Sequence, residues 1–237
     1  MPKPKKKIGI LGGMGPLASA TFYKDVVDSC VLKFNAQQDY EFPKIYLYSL
    51  PLTGFSERGF EEPELVRDQL VDAVKELEEM GCDFISIACN TVHHFHSDMQ
   101  KAVEIKVLNI VEETVNEVKS LGIKTVGIMS SESTRNLGLY EKELKRNKVK
   151  AIHVDDKEQR ELNQIILNIM GGKLELRDEI LLKMIMNNLM EKGSEAIILG
   201  CTELPLLVRN MNLQEIMYLD SLKILANKSV DLAYNVE

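Results

Sequence analysis

The 237-residue sequence predicts an α/β fold with two pseudo-symmetric domains, each built on a parallel β-sheet. Apolar strand-like runs alternate with helical segments along the chain, which is typical of parallel sheets covered by helices on both faces. The segment KKIGILGG near the N-terminus is echoed by KTVGIMSS in the middle of the chain. A glycine also precedes a cysteine by eight residues twice, as Gly81 before Cys89 and as Gly193 before Cys201.

The first half begins with a strand that a glycine pair stops, and a helix follows because Pro16 fits the first turn of a helix. A second strand leads into a loop rich in Gly, Ser and Pro, from Pro51 to Pro63. Leucine and valine at helical spacing then predict a helix that Gly81 ends. The predicted strands are Lys7 to Leu11, Lys44 to Leu50 and Asp83 to Ala88, and the predicted helices are Pro16 to about Lys33 and Glu64 to Met80.

The second half repeats this alternation, so we expect a duplicated βαβ architecture. Its predicted strands are Lys124 to Met129 and Ala196 to Leu199, and its predicted helices are Glu112 to about Leu121, Leu137 to Arg146, Glu158 to Met170, Glu175 to Glu191 and a last one from about Ser221. We expect one domain to comprise residues 1–114 and 214–237 and to carry Cys89. The other, with Cys201, is expected to comprise residues 115–213.

Composition narrows the classes of function. The net charge is −7 and the lysines are scattered among acidic residues, so no basic stripe for nucleic acid is present. No apolar run is long enough to span a membrane, and the lysine-rich start lacks a signal-peptide pattern, which predicts a cytoplasmic protein. The four cysteines form no CxxC pair, so each is treated as a free thiol.

Cys89 and Cys201 each follow a predicted strand, at the edge where ligands bind in parallel α/β sheets. A helix start at this place favours the thiolate, so such a thiol can act as a base near neutral pH. If the two halves face each other, so do the two thiols. An acid and a base on opposite sides of a tetrahedral carbon can invert its configuration. Simple packing in apolar surroundings is the ordinary role of a free cysteine, and we assign it to Cys30 and Cys82.

Three motifs resemble the cofactor-independent aspartate/glutamate racemase family, and its aspartate racemase members in particular. They are LGGMGP after the first strand, ACNTVHHF after the third and GCTELPLL near the end, with GLYEKE (Gly138 to Glu143) between them. The resemblance extends over nearly the whole chain. It implies two α/β domains with the active site in the cleft between them, no pyridoxal phosphate or other cofactor, a small dicarboxylic amino acid as substrate, and a homodimer.

The resemblance further implies that Cys89 and Cys201 are the two acid/base residues. Residues of the CNT and GCTE motifs would surround the α-carboxylate and amino group of the substrate, namely Asn90, Thr91, Thr202 and Glu203. The first loop would line the cleft through Met14, Gly15 and Pro16. The sequence leaves open whether the substrate is aspartate or glutamate, because one methylene gives little discrimination.

The distal carboxylate of such a substrate requires a cationic partner. Members of the family often carry a lysine where this chain has Met170, with Lys173 three residues on. Arg58 in the loop GFSERG is our preferred partner, because a guanidinium binds a carboxylate bidentately; the alternative is a solvated loop arginine. A helix is predicted to begin after KTVGIM, at Ser131, Ser133 and Thr134. These residues fit two roles equally, binding of the other end of the substrate and capping of the helix.

The sequence also contains partial patterns of a dinucleotide site and of a metal site. Gly13 to Ala18 matches a relaxed G-x-G-x-x-A pattern, but the second strand lacks the terminal acid of a dinucleotide site. His93, His94 and His96 have no matching acid or cysteine pattern for a metal site, and His93 is a candidate for tuning the charge near Cys89. The remaining alternatives are a decarboxylase, maleate isomerase or hydantoin racemase on the same fold, and a small-molecule binding module without turnover.

Overall fold

A computed structural model of the chain describes residues 3–56, 58–213 and 216–236. The strands over these residues are β1 Ile8–Gly12, β2 Ile45–Ser49, β3 Phe55–Ser56, β4 Gly59–Phe60, β5 Phe84–Ile87, β6 Lys106–Val107, β7 Thr125–Met129, β8 Lys150–His153, β9 Ala196–Leu199 and β10 Tyr218–Asp220. The α-helices are α1 Pro16–Phe34, α2 Pro63–Glu79, α3 His96–Ala102, α4 Ile110–Ser120, α5 Glu132–Leu137, α6 Leu139–Arg146, α7 Asp156–Met170, α8 Leu176–Glu191, α9 Leu204–Val208 and α10 Ser221–Tyr234. Short 3₁₀ helices cover Asp39–Glu41 and Thr91–Phe95.

The strands form two parallel four-stranded sheets and one small hairpin. The first sheet has the order β2-β1-β5-β6, and the second has the order β8-β7-β9-β10 when it is read from its other edge. Each sheet therefore places its first two strands in chain order at the same positions, and its third strand beside the first. The predicted α/β fold with two parallel sheets is confirmed, and the identical strand order supports the internal repeat.

Local sequence explains where the main elements begin and end. All five residues of β1 are buried, and Pro16 and Pro63 occupy the first turns of α1 and α2, where a missing N–H is tolerated. Helix α7 begins with a capping box, in which the side chains of Asp155 and Glu158 bind each other's backbone N–H groups. Gly81 follows α2 with φ at +80°, a conformation that glycine adopts at no steric cost.

The chain divides into two compact units. The first comprises residues 1–55, 60–110 and 222–237, and the second comprises residues 56–59 and 111–221. Helix α4 therefore belongs almost entirely to the second unit although it follows a strand of the first. Helix α10 follows a strand of the second unit and belongs to the first. Apart from the short segment of residues 56–59, the chain passes between units after Ile110 and after Ser221.

Each unit has its own apolar core. In the first unit, Leu11, Met14, Cys89 and Val92 belong to one cluster with the buried face of α2. In the second, Met129, Cys201 and Leu204 belong to a cluster with α7 and α8. Within residues 3–56, 58–213 and 216–236, no helix has both the length and the apolar character that a membrane span requires.

Several short elements were missing from the prediction. The loop from Pro51 to Pro63 contains the hairpin of β3 and β4, and the segment after Thr91 folds into a 3₁₀ turn, α3 and β6. Strands β8 and β10 and helix α9 were also missed, and the helix predicted at Leu137 to Arg146 is split into α5 and α6 around Gly138, which has φ at +61°. These elements have two to eight residues, too few to show a periodicity.

Candidate active site

Cys89 lies just beyond β5, beside the end of β1. The N–H of Ala88 donates a hydrogen bond of 2.9 Å to the carbonyl oxygen of Leu11, which holds this strand end to the sheet. Cys89 is 5% exposed and packs in the same apolar cluster as Met14. The sheet register therefore brings the first loop and the cysteine to one edge of the first unit, as expected for a ligand site in a parallel sheet.

Cys201 has the equivalent position in the second unit. The N–H of Gly200 donates a hydrogen bond of 2.7 Å to the carbonyl oxygen of Met129, at the end of β7. Cys201 is 8% exposed and belongs to the core cluster of its own unit. Leu11 corresponds to Met129, and Cys89 to Cys201, so the loop after β7 is the counterpart of the glycine-rich first loop.

The first loop is shaped by close backbone packing. Gly13 has φ at +97°, and a Cβ there would lie 2.2 Å from the carbonyl oxygen of Leu50. The hydroxyl of Ser19 accepts a hydrogen bond of 2.8 Å from the N–H of Gly13 and donates one of 2.9 Å to the carbonyl of Gly15. This tight turn accounts for the glycines by packing alone. Met14 and Gly15 are buried, and Pro16 is exposed at the start of α1.

The loop after β7 combines helix capping with an unpartnered hydroxyl. The hydroxyl of Ser131 accepts a hydrogen bond of 3.3 Å from the N–H of Thr134 and lies 3.2 Å from the Thr134 hydroxyl, so Ser131 caps α5. The buried Ser133 hydroxyl has no hydrogen-bond partner among the residues that the structure describes. A buried hydroxyl without a partner is costly, and a ligand group could satisfy it.

A carboxylate accompanies the second cysteine. The Sγ–H of Cys201 donates to Oε2 of Glu203 over 3.1 Å, and the hydroxyl of Thr202 donates to the same oxygen over 3.1 Å. Thr202 and Glu203 are 2% and 5% exposed. A hydrogen bond to an ionised acceptor is stronger than a neutral one, so this carboxylate favours Cys201 with its proton in place.

The imidazole of His93 contacts the backbone of the first cysteine. Nδ1 of His93 lies 2.7 Å from the carbonyl oxygen of Cys89, and Nε2 lies 3.2 Å from the N–H of Ile110. Burial lowers the pKa of His93 to about 4, with a smaller contribution from the charge of His96. The expectation that His93 tunes the charge near Cys89 is wrong in this respect, because at neutral pH the imidazole is uncharged and binds the backbone.

The two residues before Cys201 contact side chains that were not among the predicted site residues. The ring of Tyr140 packs so tightly on Gly200 that a Cβ there would lie 2.8 Å from Cε2. The Tyr140 hydroxyl bonds to Thr114 and Ser221, and burial raises its pKa. The Ser221 hydroxyl donates to the carbonyl oxygen of Leu199 over 2.7 Å. The GLYEKE motif was the one sequence signal that pointed to this tyrosine.

Arg58 is exposed in the turn between β3 and β4 and forms no ion pair with any residue in the described ranges. The adjoining strand β4 is held against the segment after Cys89, because the ring of Phe60 packs 4.9 Å from Phe95 and 5.8 Å from His94, centroid to centroid. Phe60 of β4 thus packs against the 3₁₀ helix that follows the first cysteine.

The other candidate ligands are distributed as follows. Met170 ends α7 and is 39% exposed, and Lys173 is exposed in the turn that follows. Asn90 and Thr91 are buried at the start of the 3₁₀ helix. Within residues 3–56, 58–213 and 216–236, no three side chains of His, Cys, Asp or Glu are placed to hold a metal ion.

Comparison with known proteins agrees with this fold. The chain is 32% identical over 229 residues to the broad-specificity amino-acid racemase RacX of Bacillus subtilis (strain 168), covering 96% of this chain and 99% of that protein. The structure matches an aspartate racemase homologue from Pyrococcus horikoshii OT3 with a TM-score of 0.80 and 28% identity, over 97% and 99% of the two chains. The fold also matches the aspartate racemase of Picrophilus torridus with a TM-score of 0.74 and 21% identity, over 98% and 99%.

These matches assign the chain to a class of isomerases, the amino-acid racemases and their relatives. A family model described as Asp/Glu/hydantoin racemase matches residues 11–228, which include both cysteines. The chain belongs to the Asp/Glu/hydantoin racemase family.

Proposed function

We propose that the chain racemises a dicarboxylic amino acid, with aspartate as the first candidate substrate, by cofactor-independent proton transfer between two cysteines. The observation that carries the proposal is the buried cysteine at the equivalent strand end of each half, Cys89 after β5 and Cys201 after β9. Membership of the racemase family supports the same reaction type.

The proposed reaction needs one thiolate and one thiol. The thiolate of Cys89 takes the α-proton of one enantiomer, which leaves a carbanion-like species, and the thiol of Cys201 donates its proton to the opposite face. The product has the inverted configuration, and the two cysteines have exchanged protonation states. The reverse reaction runs from that state. We assign the resting thiol to Cys201 because Glu203 accepts its hydrogen bond over 3.1 Å.

The residues around the cysteines suggest how the substrate would be held. Backbone and side-chain donors after each cysteine would bind the α-carboxylate and amino group, from Asn90, Thr91, Thr202 and Glu203. The unpartnered hydroxyl of Ser133, with Ser131 and Thr134 beside it, is proposed for another polar end of the substrate. The first loop would line the site through Met14, Gly15 and Pro16, and Arg58 is proposed for the distal carboxylate.

The choice of aspartate as substrate is the most specific part of the proposal. One protein that shares the fold is named as an aspartate racemase and another as an aspartate racemase homologue, whereas the RacX relative is named as a broad-specificity racemase. The first assay therefore follows optical inversion of each protein amino acid by chiral chromatography, with aspartate and glutamate as the leading substrates. Inversion of uncharged amino acids with no inversion of either dicarboxylate would contradict the substrate assignment and leave the racemase assignment intact.

The decisive experiment follows solvent deuterium and the two cysteines together. Deuterium should enter the α-carbon during turnover, and both Cys89→Ala and Cys201→Ala should lower racemisation by about 10³-fold or more, because each removes one proton-transfer group. Cys82→Ala is the control, since Cys82 is a buried thiol that packs near Gly9. Full activity of either active-site variant would exclude the two-thiol scheme, and binding of aspartate without deuterium exchange would favour a binding module.

We also propose a homodimer, as the sequence resemblance implies, and a cytoplasmic location, as the composition indicates. The proposed domains are residues 1–114 plus 214–237 and residues 115–213, as expected from the internal repeat. Light scattering coupled to size-exclusion chromatography measures the oligomer directly. A mass of one chain, 26.8 kDa, would contradict the dimer.

A further inference from the structure

His93 makes three close contacts with backbone atoms from two different segments. Its Nδ1 lies 2.7 Å from the carbonyl oxygen of Cys89, and its Nε2 lies 3.2 Å from the N–H of Ile110 and 3.3 Å from the carbonyl oxygen of Leu108. The side chain is almost completely buried, and the residue is 6% exposed. One imidazole therefore connects the backbone of the first cysteine to the start of α4.

The partners define the tautomer. A carbonyl oxygen only accepts, so Nδ1 carries the proton that binds Cys89. The N–H of Ile110 only donates, so Nε2 offers its lone pair. Because burial holds the pKa of His93 at about 4, this neutral form is the one present near pH 7. A protonated ring would lose the bond from Ile110 and turn its second N–H toward the carbonyl of Leu108.

The contact between His93 and Cys89 lies just beyond the end of strand β5. The last inter-strand hydrogen bond before the cysteine is the one from Ala88 to Leu11, and the residues after Asn90 form a short 3₁₀ helix. The carbonyl of Cys89 lies between these two regions. The other ring nitrogen of His93 contacts Ile110, after which the chain leaves the first unit.

The second half has no such residue. Four positions after Cys201, the place of His93 is taken by Pro205, in the first turn of α9. The backbone before Cys201 is instead supported by Tyr140 against Gly200 and by Ser221 on the carbonyl of Leu199. The imidazole is therefore a feature of the first cysteine alone and not a requirement of the repeated fold.

We propose that His93 is a positioning residue for Cys89, which fixes the backbone of the first acid/base residue by joining its carbonyl to the start of α4. This inference rests on the proposed function, because positioning has a catalytic consequence only if Cys89 transfers a proton. A thiol that must approach one face of a carbon loses rate steeply with small displacements.

Two substitutions of His93 separate its contact with Cys89 from its contact with Ile110. His93→Asn places an amide N–H near the position of Nδ1 and can keep the bond to Cys89 while losing Ile110. His93→Gln places its amide near the position of Nε2 and loses the bond to Cys89. We expect kcat to fall about 10 to 100-fold in His93→Gln with KM changed less than threefold, and to stay within about threefold of wild type in His93→Asn.

His96→Gln is the matched control, because His96 also binds a backbone carbonyl, that of Val107, over 2.9 Å, but does not touch Cys89. It should retain wild-type kcat. Equal losses in the Asn and Gln variants of His93, or wild-type kcat in a folded His93→Gln protein, would overturn the proposal. If His93→Gln does not fold, a loss of more than tenfold in His93→Asn overturns it.

Alkylation by iodoacetamide gives a readout that does not depend on racemisation. Mass spectrometry of the two cysteine peptides should show a changed rate at Cys89 in His93→Gln and an unchanged rate at Cys201. An unchanged rate at Cys89 would refute positioning by His93. Absence of racemisation in the wild-type protein refutes the proposed function instead, so the two failures are distinguishable.

Discussion

The two halves of the molecule place a cysteine at the same point and surround it differently. In both, the residue before the cysteine donates its N–H to the end of the neighbouring strand, over 2.9 Å from Ala88 and 2.7 Å from Gly200. Two residues after Cys201 stands the carboxylate of Glu203, whereas two residues after Cys89 stands Thr91. Only the first half has a hairpin between its second strand and the following helix, since β8 is separated from α7 by Val154 and Asp155 alone.

This difference shows which features a duplicated fold retains. Sheet register fixes where a strand ends, so the position of each cysteine follows from the strand order that the halves share. Side chains after the strand end depend on loops, which vary freely. The two thiols are therefore expected to differ in their chemistry, with the proton held at Cys201 by Glu203 and the backbone held at Cys89 by His93.

Among the tests of this difference between the two cysteines, the substitution Glu203→Gln is expected to have the largest effect on the rate of racemisation. A neutral amide still accepts a hydrogen bond from Cys201 but no longer favours the thiol over the thiolate by its charge. We expect racemisation near pH 7 to fall by about 10²-fold, within the range of one acid/base contribution. The alkaline limb of the pH–rate profile should move to lower pH, because Cys201 loses its proton more readily.

Glu179→Gln, an exposed carboxylate on α8, is the control for Glu203→Gln. It should leave both the rate and the pH profile unchanged. A profile of Glu203→Gln that superimposes on that of the wild type would mean that the carboxylate does not hold the Cys201 proton, and the comparison of the two cysteines would lose its main difference.

The second test compares stability against pH, since only the first half buries an imidazole at this place. The pKa of His93 is lowered to about 4, so the unfolded chain binds a proton that the folded chain excludes. Its contribution is present above the ordinary pKa of about 6.5 and is lost as the pH falls toward 4. From pH 7 to pH 5 the wild type should lose about 2 kcal/mol of unfolding free energy that His93→Asn does not lose.

Urea denaturation of both proteins at several pH values measures this difference. All other residues are the same in both proteins, so their contributions cancel in the comparison. His96, whose ring lies 5.9 Å from that of His93, is common to both proteins, and its charge is a smaller cause of the low pKa of His93 after burial. Parallel curves for the two proteins would show that His93 is not a buried neutral base.

A structural feature could be predicted from the sequence when a continuous stretch of residues specifies it. Strand β9 was predicted with both ends in place because Ala196 to Leu199 is a continuous apolar run. Strand β6 has two residues and β10 has three, so neither shows alternation. The cysteines could be singled out because each follows a recognisable strand in a recurrent spacing.

Contacts between distant residues were beyond such reasoning. The hydrogen bond that the N–H of Ile110 donates to His93 joins residues 17 apart, and its formation depends on how α4 begins after β6. Tyr140 reaches Gly200 across 60 positions through the packing of α6 on the sheet. The pairing of Cys201 with Glu203 is local, but it depends on side-chain rotamers that a sequence does not specify.

The smallest effect is expected for the hairpin that the first half alone possesses. Arg58 is exposed, and an exposed ion pair contributes at most about 1 kcal/mol, which corresponds to about fivefold in affinity. Arg58→Met should therefore raise KM for aspartate by about fivefold, leave kcat unchanged and leave uncharged amino acids unaffected. Lys173→Met, which removes the other candidate cation, should have no such effect. If only the lysine variant raised KM, the distal carboxylate would be assigned to the turn after α7, and the asymmetry of substrate binding would lie in the second half.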